Sequence, residues 1–290
     1  MRMIFFLIQS SFVLGFAEAK PPIIDDSQII KNFQEKVGIL LEERAEGEVA
    51  TVQELQKALS EPAGLPEISK VEAPSSALDS VFVVGSVYDC GKCDQWHPAG
   101  LATAWVLASD GVLCTNYHVI ESFKGEAMAV SSWQGEVYLV TEILMADRGN
   151  DVAVFRVEAE NLTPLPLGEE AAAIGEKISC LSHPNRRFFL HTFGEVARYH
   201  YKRGRGPKVA QMSITADYAK GSSGGPILNQ KNEVVGMVAS TSTIYGGKAE
   251  STQQAQFQMV VKNSIPGFVI RDLIKEEHLK SVAGETAQSQ

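Results

Sequence analysis

From Val81 onward the chain is a succession of short β-rich runs: Val81 to Tyr88, Leu101 to Leu107, Val112 to Thr115, Val137 to Ile143, Val152 to Val157, Lys177 to Leu181, Thr192 to His200, Lys208 to Thr215, Glu233 to Thr241 and Gln256 to Val261. Turn-forming residues punctuate them at Ser109-Asp110-Gly111, Asn161, Pro164-Leu165-Pro166 and Asn229 to Asn232. Short strands of this kind bury their apolar side chains by stacking two sheets or by closing one sheet on itself. The pattern therefore predicts an all-β sandwich or closed barrels. Ile265 to Leu273, around Pro266, reads as a closing C-terminal helix, with residues 278–290 as a polar tail.

Residues 20–77 have another texture. Ile29, Ile30, Phe33, Val37, Leu40 and Leu41 recur with helical spacing, and Val49 to Leu59 continues the pattern after Gly47, so two short helices are expected. Pro62, Gly64, Pro66 and Pro74 then make a linker. Such a leader is a pro-segment, an oligomerisation arm or a decoration packed on the β-rich part. Ahead of it, Arg2, the apolar stretch Met3 to Phe16 and Ala17-Glu18-Ala19 have the order of a signal peptide covering residues 1–19, cleaved before Lys20. A stretch that Gln9, Ser10 and Ser11 interrupt is short for a membrane span of about 20 residues, so no stable insertion is expected after cleavage.

Three segments carry chemistry. Thr115-Asn116-Tyr117-His118-Val119 comes first, Asn150-Asp151-Val152-Ala153-Val154 second and Gly221-Ser222-Ser223-Gly224-Gly225-Pro226 third. A serine hydroxyl is a poor nucleophile at neutral pH. It needs an imidazole to take its proton and a carboxylate to hold that imidazole in one tautomer. Ser223, His118 and Asp151 fit those three roles. An oxyanion would need converging backbone N–H donors, which the glycine-rich turn offers at Gly221 and Ser223.

Together, and in this order, the segments resemble the trypsin-like, chymotrypsin-fold serine peptidase superfamily, and within it the HtrA (Deg) type, over roughly residues 78–275. The resemblance decides the fold: two six-stranded β-barrels with the active site between them, His118 and Asp151 from the first and Ser223 from the second, in a protease domain spanning residues 78–277. It implies a secreted or periplasmic serine endopeptidase acting on polypeptide substrates through an acyl-enzyme on Ser223. The alternative is a non-catalytic, chaperone-like polypeptide binder that keeps the fold. Two positions depart from the HtrA pattern: Leu101-Ala102-Thr103-Ala104-Trp105 replaces a Gly-Ser-Gly turn, and Ser222 replaces Asn. Too little chain follows Ile274 for the appended PDZ domain, so none is expected. An oligomer is compatible with the resemblance, but no sequence feature specifies its interface.

In digestive members of the superfamily, an aspartate directly before the serine pairs with a freshly cut N-terminus. Ser222 stands there, so activity is expected not to depend on that ion pair. The resemblance also places Asp217 at the base of the side-chain pocket, which would favour Lys or Arg before the scissile bond; HtrA-type chains prefer small aliphatic residues. Ala239, Ser240 and Thr241 are the expected pocket walls.

A net charge of −9 at pH 7 argues against polyanion binding, and no nucleic-acid partner is expected. The basic cluster Arg198, Lys202, Arg203, Arg205 and Lys208 reads as a solvated hairpin loop, a substrate-steering loop or a self-cleavage site. Cys90-Gly91-Lys92-Cys93 is a candidate for a short disulfide in an oxidising compartment, while Cys114 and Cys180 sit in apolar runs as buried thiols. A zinc site with His97 lacks a fourth ligand in the sequence, so neither a metal nor another cofactor is expected.

Overall fold

The structure, a computed structural model, describes residues 21–44, 48–93, 95–202, 207–246 and 256–288, with the backbone alone for 281–288. The segment read as a signal peptide lies outside the described residues, as do Arg203 and Arg205 of the basic loop.

Among the described residues, twelve strands form two closed barrels. In the first, β1 (Val81–Asp89), β2 (Trp96–Ala108), β3 (Val112–Thr115), β4 (Ala127–Ser131), β5 (Val137–Asp147) and β6 (Val152–Val157) are ordered β1-β2-β3-β6-β5-β4. In the second, β7 (Lys177–Ser182), β8 (Leu190–Tyr201), β9 (Ala210–Ile214), β10 (Pro226–Leu228), β11 (Val234–Gly246) and β12 (Gln256–Pro266) are ordered β10-β11-β12-β9-β8-β7. The expected double-barrel fold is thus observed. Closure leaves neither sheet with a free edge, because β1 pairs with both β2 and β4 and β10 with both β7 and β11.

Successive side chains of a strand point to opposite faces, and β1 uses both. Phe82 and Val84 pack with Val106, Leu113 and Phe155 inside the first barrel. Val81 and Val83 face outward and join Trp105, Cys114 and Val154 in a layer that also takes Leu181, Leu228, Met237 and Ile265 from the second barrel. That shared layer fixes one barrel against the other. Strands buried on both faces read as continuous apolar runs, which is what Val81 to Val84 show.

Two strands were not anticipated. The residues of β4, Ala-Met-Ala-Val-Ser, are all buried and lack a polar alternation. Only three residues long, β10 opens with Pro226, which a strand tolerates at its first position.

Both leader helices are packed elements. The first, α1 (Asp26–Glu42), starts where the Asp25 carboxylate accepts from the Ser27 and Gln28 N–H groups, each at 3.0 Å. Its Phe33 and Val37 pack on Val87, Ala129 and Leu139. The second, α2 (Val52–Ala58), has a Thr51/Glu54 capping box and sends Val52 and Leu55 into the core of the first barrel. After β3 comes the short α3 (Tyr117–Ser122), and the chain closes with α4 (Gly267–Gln288), whose Ile270 and Ile274 reach the shared layer. That last helix continues beyond Leu273 through most of the segment read as a polar tail.

Candidate active site

His118 lies on α3, one turn past the end of β3, and Asp151 lies directly before β6, the strand that pairs with β3. Adjacent strand ends therefore present the two side chains together. His118 Nδ1 is 2.8 Å from Asp151 Oδ2 and 3.0 Å from Oδ1, and the His118 backbone N–H donates to the same Oδ1 at 2.9 Å. Asp151 adopts a left-handed φ of 62°, steadied by Asn116 Nδ2, which donates to the Asp151 carbonyl at 3.1 Å. Asp147, the other carboxylate nearby, accepts from the Asn150 N–H at 2.6 Å and closes the turn that delivers Asp151.

Ser223 arrives from the second barrel, with its Oγ 3.1 Å from His118 Nε2. With Nδ1–H engaged by the carboxylate, Nε2 faces the serine as the proton acceptor. The serine loop is anchored to the first barrel: the Thr103 N–H donates to Ser223 O at 2.9 Å and Thr103 Oγ1 to Gly221 O at 3.0 Å. Thr103 belongs to the Leu101 to Trp105 segment that departs from the HtrA pattern. Its second role was not foreseen, because the partner lies across the barrel interface.

The turn needs its glycines. Gly221 has φ 97°, and an added Cβ would meet His183 O at 2.5 Å; at Gly224, with φ 84°, it would meet Thr103 O at 2.1 Å. The orientation of the Gly221 amide follows from one hydrogen bond. The Asn185 N–H donates to Lys220 O at 2.7 Å, and in a trans peptide the Gly221 N–H points the opposite way from that carbonyl. Among the described residues neither Gly221 nor Ser223 donates its N–H to a backbone carbonyl. Asn185 is itself left-handed, at φ 48° and ψ 46°, inside a His183-to-Phe189 loop where Arg186 and Phe189 also have positive φ. The leader reaches this loop, since Asp26 Oδ1 accepts from the Phe188 N–H at 2.9 Å.

Ser222 is fully buried and points away from the cleft, its Oγ 3.0 Å from Ser182 Oγ. No charged group occupies that position.

Asp217 does not stand as a free carboxylate at the base of a closed pocket. Its side chain is 88% exposed, and the buried Lys262 ammonium lies 2.7 Å from Oδ1, also donates to Tyr218 O at 3.2 Å and sits over the Tyr218 ring. The expected walls divide as well: Ala239 and Ser240 line a hollow of about 400 Å³ shared with His118, Asp151 and Arg148, whereas Thr241 lies outside it and exposed. A larger hollow of about 720 Å³ between Lys177, His191, Phe193 and Asn229 lies on the second barrel away from the three side chains. The Cys90 and Cys93 sulfurs are 3.4 Å apart and not joined in a disulfide.

Known proteins resemble this chain in sequence and in fold. Residues 102–237 match the trypsin-like peptidase domain, a span that holds His118, Asp151 and Ser223. The chain is 30% identical over 148 residues to a probable periplasmic serine endoprotease, DegP-like, from Halomonas elongata, covering 51% of this chain and 31% of that protein. It is 32% identical over 143 residues to a putative serine protease HhoB of Synechocystis sp., covering 48% and 34%. The chain thus spans about a third of the length of the curated relatives it matches. A solved serine endoprotease from Yersinia pestis shares the fold, with a TM-score of 0.52 at 19% identity over 72% of this chain and 69% of that one. The resemblance to trypsin-like serine peptidases with HtrA/Deg-type relatives is shown in both sequence and fold.

Proposed function

We propose that this trypsin-like peptidase domain is a serine endopeptidase that hydrolyses polypeptides through an acyl-enzyme on Ser223. The observation that carries the reading is the unbroken line from Asp151 through His118 to Ser223 Oγ, with a 2.8 Å and a 3.1 Å contact. Ser223 Oγ attacks the substrate carbonyl carbon while its proton passes to His118 Nε2. Asp151 orients the imidazole and stabilises its positive charge. The oxyanion sits between the Gly221 and Ser223 N–H groups. Collapse of the tetrahedral species expels the amine, which takes the proton from Nε2, and a water repeats the sequence to free Ser223.

Activation needs no ion pair with a new N-terminus. Ser222 is held by a neutral hydrogen bond, and the Gly221 amide is oriented through Asn185. The substrate side chain before the scissile bond is small and aliphatic rather than basic, because Lys262 already engages Asp217. A periplasmic or extracellular location is supported by the signal-like residues 1–19 and by the name of the Halomonas relative.

The test is cleavage of an unfolded polypeptide by the chain lacking residues 1–19, with Ser223→Ala alongside. The expected result is turnover that Ser223→Ala abolishes while folding and polypeptide binding persist. Equal binding with no cleavage by either protein would make the chain a polypeptide binder instead.

A further inference from the structure

We propose that the tip of the β1–β2 hairpin is a binding site for a zinc-class transition metal, with Cys90 Sγ, Cys93 Sγ and His97 Nε2 as ligands. The strand register brings them together. Tyr88 pairs with His97 across the ladder, and Cys90 follows Tyr88 by two residues, so its side chain emerges on the face that carries His97. The chain then reverses: Gly91 takes φ 64°, the Gly91 N–H donates to Asp89 Oδ1 at 2.8 Å, and Cys93 swings back beneath Cys90.

The three ligand atoms lie within 4.8 Å of one another, with Sγ to Sγ at 3.4 Å and Cys93 Sγ to His97 Nε2 at 3.1 Å. Ions with bonds of about 2.3 Å to sulfur and about 2.0 Å to nitrogen fit such a span. A disulfide would use two of the three groups and leave the imidazole contact unexplained.

Cys114 and Cys180 are buried and lie outside this cluster, so neither competes for the ion. Binding displaces the thiol protons to solvent, and His97 ligates through neutral Nε2. Three protein ligands leave a fourth tetrahedral position for water or for a side chain of a bound protein. The tip also abuts the leader, since Gln34 Nε2 donates to Trp96 O at 2.7 Å, so a bound ion would brace α1 against the hairpin.

The full chain lacking residues 1–19, reduced and metal-free, is titrated with cobalt(II) and then with zinc(II). One equivalent of cobalt should give thiolate-to-metal charge transfer with tetrahedral ligand-field bands, and zinc should displace it. Cys90→Ser and Cys93→Ser should weaken binding by on the order of 100-fold or more while leaving the circular dichroism unchanged, because both residues are outside the core. His97→Ala should weaken binding and shift the ligand-field bands. Absent charge transfer in the folded protein, or titrations unchanged in the serine variants, would overturn the site. So would recovery of Cys90 and Cys93 solely as a disulfide from cells exporting the chain. None of these readouts depends on Ser223.

Discussion

Asp151 sits in a left-handed conformation with its carboxylate on both the backbone and the ring of His118. An amide at that position would present N–H where the ring needs an acceptor, so Asp151→Asn should lower kcat by about 10⁴ with little change in stability, measured by steady-state cleavage and thermal melting. The serine, histidine and aspartate of the candidate site were legible because this chemistry calls for those three residue types together, and their order and flanking motifs resemble those of one superfamily. The expectation for Asp217 came from the resemblance, whereas the ammonium beside its carboxylate comes from Lys262, 45 residues along the chain on β12, a contact that only the folded chain makes. Lys262→Met frees that carboxylate. A peptide library should show cleavage after small aliphatic residues in the parent chain and gain cleavage after Lys or Arg in the variant; a parent already selective for Lys or Arg would refute this reading of Asp217.

Among the elements, the His183-to-Phe189 loop sets the orientation of the Lys220–Gly221 peptide through one N–H of a left-handed residue. Asn tolerates that backbone region and Gly enters it freely, whereas a β-branched residue does not. Asn185→Gly should therefore leave kcat nearly unchanged. Asn185→Val should cost up to the 10²–10³ in kcat associated with losing an oxyanion donor, with KM moving far less. Equal kcat in the two variants would show that the peptide is held by other contacts. This loop carried no recognisable sequence signal, because the fit of His-Pro-Asn-Arg to the serine turn exists only once the barrels are docked. The strands that sequence did reveal, such as β1 and β6, are long apolar runs. Those it missed, β4 and β10, are too short or too uniformly buried to show a period.

For the molecule as a whole, the leader belongs to the folded unit. Phe33 is almost wholly buried against the first barrel, so Phe33→Ala should cost about 3–5 kcal/mol, read as a lower urea midpoint with unchanged slope. A neutral effect would mean that α1 is loosely attached. Helical periodicity exposed α1 but not its partner surface, since Phe33 and Val87 are joined only in three dimensions. Acid sensitivity also belongs to the whole fold. Burial pushes the His183 imidazole down to about 4 from its ordinary 6.5. The unfolded chain then binds the extra proton first, so stability rises with pH through this window and falls as pH drops from about 6.5 toward 4. The loss over that window is on the order of 3 kcal/mol. Urea unfolding across the range should show the slope, and His183→Gln should flatten it.

The central claim is that docking the barrels places a reactive serine against His118, and covalent labelling with a fluorophosphonate tests it most directly. Peptide mapping of the labelled chain should place a single adduct on Ser223, absent from Ser223→Ala, retained in Ser222→Ala and strongly slowed in Asp151→Asn. A folded chain that takes up no label, or takes it up on another residue at the same rate in Ser223→Ala, would contradict the account.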